Sequence, residues 1–245
     1  MNLKNQQTEK TLEMEELMAK TPARLGIGHA GPRYKTEAML RFEYAHARAA
    51  EAVRTEVTDE TIQKLGVPAF QTCCSSKYDM VTRPDLGRLF SEKTLWDISA
   101  TCQHHIDVEV YFGDGLSSPC IEANIPELYP RLKSNLEASG LTVGTPFFVR
   151  YCRVNTVRQI GPLLDAKITC VLIGERPGLL TGESMSAYFA YRANTNMSES
   201  DYRVVANISH AGLIPLEAAD LIAYKIREML KINDAPRKPT MLAAG

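Results

Sequence analysis

The stretch "KITCVLIGERPGLLTGES", Lys167 to Ser184, decides the fold. After Lys167, the run Ile168 to Ile173 is apolar and rich in β-branched residues, as expected of a strand buried on both faces. At Gly174 the run breaks into a loop that carries Glu175, Arg176, Pro177 and a further glycine. Upstream, "TVRQIGPLLDA" (156–166) has the apolar spacing of a short helix and "PFFVRYC" (146–152) that of a strand. Before them lie a helical stretch from Pro119 to Ser139 and an alternating strand, "IDVEVYF" (106–112). Strand, helix, strand, helix, strand predicts crossovers in a parallel sheet. The fold class is therefore α/β, a Rossmann-like, mostly parallel sheet flanked by helices. "MSAYFAYR" (185–192) adds a strand. "PLEAADLIAYKIREML" (215–230) adds a closing helix, with Pro215 in its first turn and Leu216, Ala219, Ile222, Ile226 and Leu230 facing inward.

The first hundred residues are organised differently. Residues 1–20 are polar, with one short amphipathic piece in which Met14, Leu17 and Met18 form an apolar stripe, and they read as a tail or a short helix. "TPARLGIGHAGPRYKT" (21–36) holds three glycines and two prolines in sixteen residues and must be extended or looped. Gly26, Gly28 and Gly31 have dinucleotide-loop spacing, but no buried strand precedes them and Pro32 follows, so they make no nucleotide loop. From Thr36, which can cap it, a helix is expected with Met39, Leu40, Ala47, Ala50, Val53 and Val57 along one face. His46 on it reads as a packing or partner-contacting residue. Short helical and strand-like pieces follow to residue 100, with Arg83, Asp85 and Arg88 forming an ion-pair network around a helix start at Pro84. The chain thus divides into a tail (1–20), an arm and helical region with an extended segment (21–100) and the sheet domain (101–245).

With 245 residues and 44% hydrophobic content, the chain is long enough for a substantial core. Lys and Arg total 28 against 29 for Asp and Glu, so no overall field favours nucleic acid or an anionic membrane. No run is apolar enough to cross a bilayer, and the start lacks the apolar core of a secretory signal, so a cytoplasmic protein is expected. Six cysteines without a C-x-x-C pair read as reduced thiols, with Cys73 and Cys74 pointing in opposite directions.

Ligands of parallel sheets lie beyond the carboxyl ends of the strands. Three loops share that edge: "GDGLSS" after the first strand, "RVNTV" after the second and "GERPGLL" after the third. None is a phosphate loop, and Asp114 and Glu175 disfavour an anionic nucleotide while suiting a ligand rich in neutral N–H donors. The plainest use of Glu175 and Arg176 is an ion pair that shapes the loop, and of Asp114 a cap for the next helix. "GDGLSS" is not a serine-hydrolase elbow, and the five histidines show no metal-ligand spacing beyond the adjacent His104 and His105. No catalytic residue and no metal ligand is nominated. The chemistry is expected from a cofactor or another subunit.

Eight blocks carry a family resemblance: "TPARLGIGHAGPR", "LRFEYAHARA", "TRPDLGR", "DGLSS" with "IEANIPEL", "GTPFFVRYCRV", "IGERPGL", "ESMSAYFAYR" and "NISHAGLIPLEAA". In this order, from Thr21 to about Leu230, they resemble the small subunit of ethanolamine ammonia-lyase. The resemblance implies a carbon–nitrogen lyase that uses adenosylcobalamin and radical chemistry to turn ethanolamine into acetaldehyde and ammonia. It also implies a hetero-oligomer in which a large TIM-barrel subunit holds the substrate and this chain covers the shared cofactor.

By that resemblance, Val154 in "CRV" and Glu175 in "GERPGL" match cofactor contacts. A third family contact is a cysteine shortly before "NI". Here "DYRVVANIS" has valines, and Val204 is the nearest equivalent, through backbone or apolar contact. The motif D-x-H-x-x-G does not occur, in keeping with base-on cobalamin. The arm, with Arg24 and Arg33 as anchors, is then expected on the large subunit. Residues 1–20 suggest a microcompartment shell as a further partner and an ethanolamine-utilising bacterial microcompartment as the location. Two rival readings are a nucleotide-dependent oxidoreductase of similar fold and a non-enzymatic scaffold.

Overall fold

The structure, a computed structural model, describes residues 13–234. The tail reading for residues 1–12 and whatever follows 234 lie outside them. A helix α1 spans 13–19, and its Met14 and Met18 lie against Gly26 of the arm. The arm turns through a small antiparallel hairpin, β1 (His29–Ala30) and β2 (Arg33–Tyr34), with Gly26, Gly28 and Gly31 at positive φ. A residue with a side chain is strained there, so the glycines serve the turns.

Helix α2 (Thr36–Arg54) forms as expected, but Lys35 holds the cap position and no side chain caps it. Its expected inward face is also corrected. Only Ala52 is buried within the helix, while Met39, Leu40, Phe42 and Tyr44 are exposed. Helices α3 (Asp59–Leu65), α4 (Lys77–Thr82) and α5 (Glu92–Thr101) follow, capped by Thr58, Ser76 and Ser91 side chains that accept backbone N–H bonds. Between α3 and α4, β3 (Ala69–Gln71) joins the main sheet.

That sheet has six strands in the order β3, β5, β4, β6, β7, β8. Strands β4 (Val108–Gly113), β5 (Phe148–Arg150) and β6 (Ile168–Gly174) run parallel with β3. Strands β7 (Met185–Tyr191) and β8 (Arg203–Ile208) extend it antiparallel. The connecting helices are α6 (Pro119–Glu137) between β4 and β5 and α7 (Val157–Leu164) between β5 and β6. The closing helix is α8 (Pro215–Asp234). The α/β, mostly parallel architecture expected from the spacing is present.

Two apolar layers sandwich the sheet. On one face Val108, Val110, Phe112 and Leu172 pack against Ile121, Ile125, Leu128 and Leu132 of α6 and Ile222 and Ile226 of α8. On the other, Tyr111, Val149 and Val171 pack against Ile98 of α5 and Val157, Ile160 and Leu164 of α7. Each such fully buried side chain contributes about 1.5–3 kcal/mol. Because helices cover both faces, β4 and β6 are buried at every residue, and the alternation expected of "IDVEVYF" does not expose one side. Of the residues expected inward on α8, Leu216 is exposed and the other four are buried.

Candidate functional site

Helices α6 and α7 leave β4 and β5 toward opposite faces of the sheet, so a crevice opens between the carboxyl ends of these neighbouring strands. An open cleft of about 410 Å³ lies there, at the edge predicted from the sequence. The loop after β4 gives it Gly115 and Leu116, and the loop after β5 gives Cys152, Arg153 and Val154. The end of β6 gives Ile173, Gly174, Glu175 and Arg176, and β7 gives Tyr188.

Backbone bonds tie these loops together. Asp114 N–H donates to Val149 O at 2.9 Å, Cys152 N–H to Asp114 O at 2.9 Å, and Leu116 N–H to Gly174 O at 3.0 Å. The approach is close enough to require glycine. A Cβ on Gly115 would stand 2.5 Å from Gly174 O, and one on Gly174 would stand 2.1 Å from Ser117 O.

Beneath the cleft, Lys77 reaches from α4 to Asp114. Its Nζ lies 2.6 Å from Asp114 Oδ1 and also donates to Gly115 O and Ser118 Oγ, both at 2.8 Å. Asp114 therefore does not cap α6 as expected. It anchors the loop through a buried ion pair, with Ser118 Oγ as a second donor at 2.6 Å. Ser118 and Ser117 are buried; Ser117 Oγ donates to Gly182 O, and Ser118 Oγ also lies within hydrogen-bond reach of Thr55 O. These serines bind loops together.

Glu175 and Arg176 do not pair with each other. Glu175 Oε2 accepts from Ser184 Oγ at 2.5 Å, and Oε1 accepts from Ser186 Oγ and from Asn207 N–H, the latter at 3.2 Å. A carboxylate has about four acceptor positions. Three are filled from this chain, which fixes the side chain and leaves one open. Arg176 is exposed, with no ion pair among the described residues.

Val154 opens the short 3₁₀ turn Val154–Thr156 and lines the cleft with Glu175. Val204 does not line it. It sits one strand further out on β8, 41% exposed, in register with the cleft-lining Tyr188. The structure thus brings two of the three nominated residues together and sets the third beside them. Tyr188, Arg153 and Lys77 were missed, although Arg153 directly precedes Val154 in sequence and was open to notice.

Other nominated features lie elsewhere. His105 Nδ1 is 2.7 Å from Asp165 Oδ2 at the opposite end of β6. Among the described residues no group of three or more His, Cys, Asp or Glu side chains stands ready for a metal ion. All six cysteines are free, Cys73 exposed and Cys74 buried. Arg24 Nη2 donates to Leu179 O at 3.4 Å, holding the arm near the loop after β6, while Arg33 is exposed. No helix among the described residues is long and apolar enough to cross a membrane.

A sheet-end cleft with one fixed carboxylate acceptor, arginines on its wall and serines engaged in structure defines an α/β protein with a candidate ligand cleft. Comparison with known proteins gives the family. The family model described as ethanolamine ammonia-lyase light chain (EutC) matches residues 11–235. The chain is 45% identical over 230 residues to the ethanolamine ammonia-lyase small subunit of Clostridium tetani, covering 94% of this chain and 78% of that protein. It is 45% identical over 219 residues to that of Clostridium acetobutylicum, covering 89% and 90%. With that of Listeria monocytogenes it shares 42% over 220 residues, covering 90% and 74%. The chain belongs to the ethanolamine ammonia-lyase light-chain, or small-subunit, family.

Proposed function

We propose that this chain is the cofactor-covering subunit of an adenosylcobalamin-dependent ethanolamine ammonia-lyase, active only with its large subunit. When bound, the cofactor supplies the radical chemistry that converts ethanolamine to acetaldehyde and ammonia. The residues here bind and shield it, and none is assigned a catalytic step. The observation that carries this reading is the meeting of Val154 and Glu175 in one cleft. The donor set fits. Corrin side chains end in neutral amides, and Glu175 keeps one acceptor position free for such an N–H. Val154 and Tyr188 offer apolar contact in the cleft, and Val204 stands next to Tyr188 on β8 just outside it.

At about 410 Å³ the open cleft is too small to enclose a corrinoid, so another surface must cover the rest. That surface is the large subunit. The arm and the exposed apolar residues of α2 are the natural seat for it, since a face bearing Met39, Leu40, Phe42 and Tyr44 is costly to leave in water. In this reading residues 21–100 face the large subunit, and residues 101–245, the Rossmann-like part, face base-on cobalamin. The whole assembly works in the cytoplasm, within an ethanolamine-utilising microcompartment whose shell residues 1–20 contact.

The test is co-expression with the large subunit, followed by the visible spectrum and an acetaldehyde assay with ethanolamine. Corrinoid retention and acetaldehyde formation by the co-complex support the reading. A co-complex that binds no corrinoid contradicts it.

A further inference from the structure

Charge around the cleft differs from what its sequence suggests. The carboxylate of Asp114 is matched by Lys77 below the floor, and that of Glu175 is turned toward β7 and β8 by its three donors. In and beside the cleft stand arginines without such partners, Arg153 after β5 and Arg176 after β6. Arg153 donates from Nε and Nη2 to Met80 O, at 3.1 and 2.6 Å, which leaves Nη1 unused among the described residues. Arg153 N–H donates to Gly87 O at 2.9 Å, and a Cβ on Gly87 would stand 2.8 Å from Arg153 Cγ, so the turn Leu86–Arg88 is pressed against it. Arg83 pairs with Asp85 at 2.7 Å as expected, but Arg88 stays outside that pair. Among the described residues, neither Arg88, Arg153 nor Arg176 has a carboxylate within ion-pair distance. Burial lowers the Arg153 pKa most, and the charges of Arg88 and Arg176 lower it further.

Arg153 and Arg176 both line the cleft, and Arg88 belongs to the turn packed against Arg153; like charges gathered in this way repel each other until an anion arrives. Arginine's planar fork suits the oxygens of a phosphate group. We propose that Arg176 and Arg153, which both line the cleft, with Arg88 beside Arg153, form an anion subsite that takes the phosphodiester of the cobalamin nucleotide loop. This rests on the cofactor reading above. Glu175 then holds an amide of the corrin rim while the arginines hold the tail, which fixes the orientation of the cofactor on this subunit.

The test uses the complex with the large subunit and two probes, adenosylcobalamin and adenosylcobinamide, which share the corrin and the adenosyl group but differ in the nucleotide loop. Affinities are read from visible absorbance for wild type, Arg176→Gln and Arg88→Gln. Both substituted side chains are exposed, so folding is preserved. Each variant is expected to weaken adenosylcobalamin about tenfold, the size of one lost charge-assisted contact, and to leave adenosylcobinamide unchanged. Equal weakening of both probes, or no weakening of either, overturns the phosphodiester assignment. Loss of subunit association in place of cofactor affinity also overturns it and gives the arginines to a carboxylate of the large subunit. If wild type binds neither corrinoid, the cofactor reading itself fails, which is a distinct result.

Discussion

Lys77 Nζ lies 2.6 Å from Asp114 Oδ1, and both side chains are almost wholly removed from water. This ion pair joins α4 to the loop that floors the cleft. Removing one partner strands a buried charge, at a cost of about 3–5 kcal/mol, whereas replacing both with apolar residues is far milder. Lys77→Met is therefore expected to be strongly destabilising, and Lys77→Met with Asp114→Leu less so than the two single changes added together. Urea unfolding of the four proteins checks it.

Glu109 on β4 is fully buried, and neither of its carboxyl oxygens has a partner. Burial pushes its pKa well above the ordinary carboxylate value, against a smaller lowering by the Val110 backbone. An acid whose folded pKa is raised holds its proton more tightly in the fold. Its contribution to stability is complete below the unfolded value near 4.5 and is lost as pH rises through the folded pKa. The neighbours it perturbs stay protonated across this range. Burial first, then Glu109, pushes Cys102 up to about 12, and the same two causes raise Tyr129 and Cys170. Glu109→Gln is expected to flatten the fall in urea midpoint as pH rises above about 4.5.

Burial raises the pKa of Cys74, and pushes those of Cys102 and Cys152 up to about 12 and those of Cys120 and Cys170 higher still. Cys73 alone is exposed. A thiol reagent is expected to titrate one group promptly in the native chain and six in denaturant, and Cys73→Ser removes the fast group.

The exposed face of α2 offers a separable change. Leu40→Glu together with Phe42→Glu alters residues that are 59% and 45% exposed, so the stability of the isolated chain is expected to move by less than about 0.5 kcal/mol per site. Co-purification with the large subunit is expected to collapse.

Sequence spacing made β4, α6, β5, α7 and β6 legible because each carries its own apolar period, and the strand-end edge followed from their order. Other features depend on tertiary partners. Strand β3 is three residues long and follows Pro68, too short for any period. Lys77 and Asp114 stand 37 residues apart, with no local pattern to join them. Glu109 occupies the polar position in the alternation of "IDVEVYF", and only the helices on both faces bury it. Val154 and Glu175 fell within predicted loops, but Val204 entered only through family resemblance, since a valine in a strand carries no chemical signal of its own.

Glu175 as the residue that holds cobalamin at this cleft is tested most directly by titration of the complex with adenosylcobalamin, followed in the visible spectrum, for wild type and Glu175→Gln. The substituted amide keeps the shape of the side chain but weakens its acceptance from Ser184, Ser186, Asn207 and the ligand. The affinity is expected to fall about tenfold or more with the subunits still associated. An unchanged affinity in a fully assembled variant would contradict the account and move the cofactor away from this cleft.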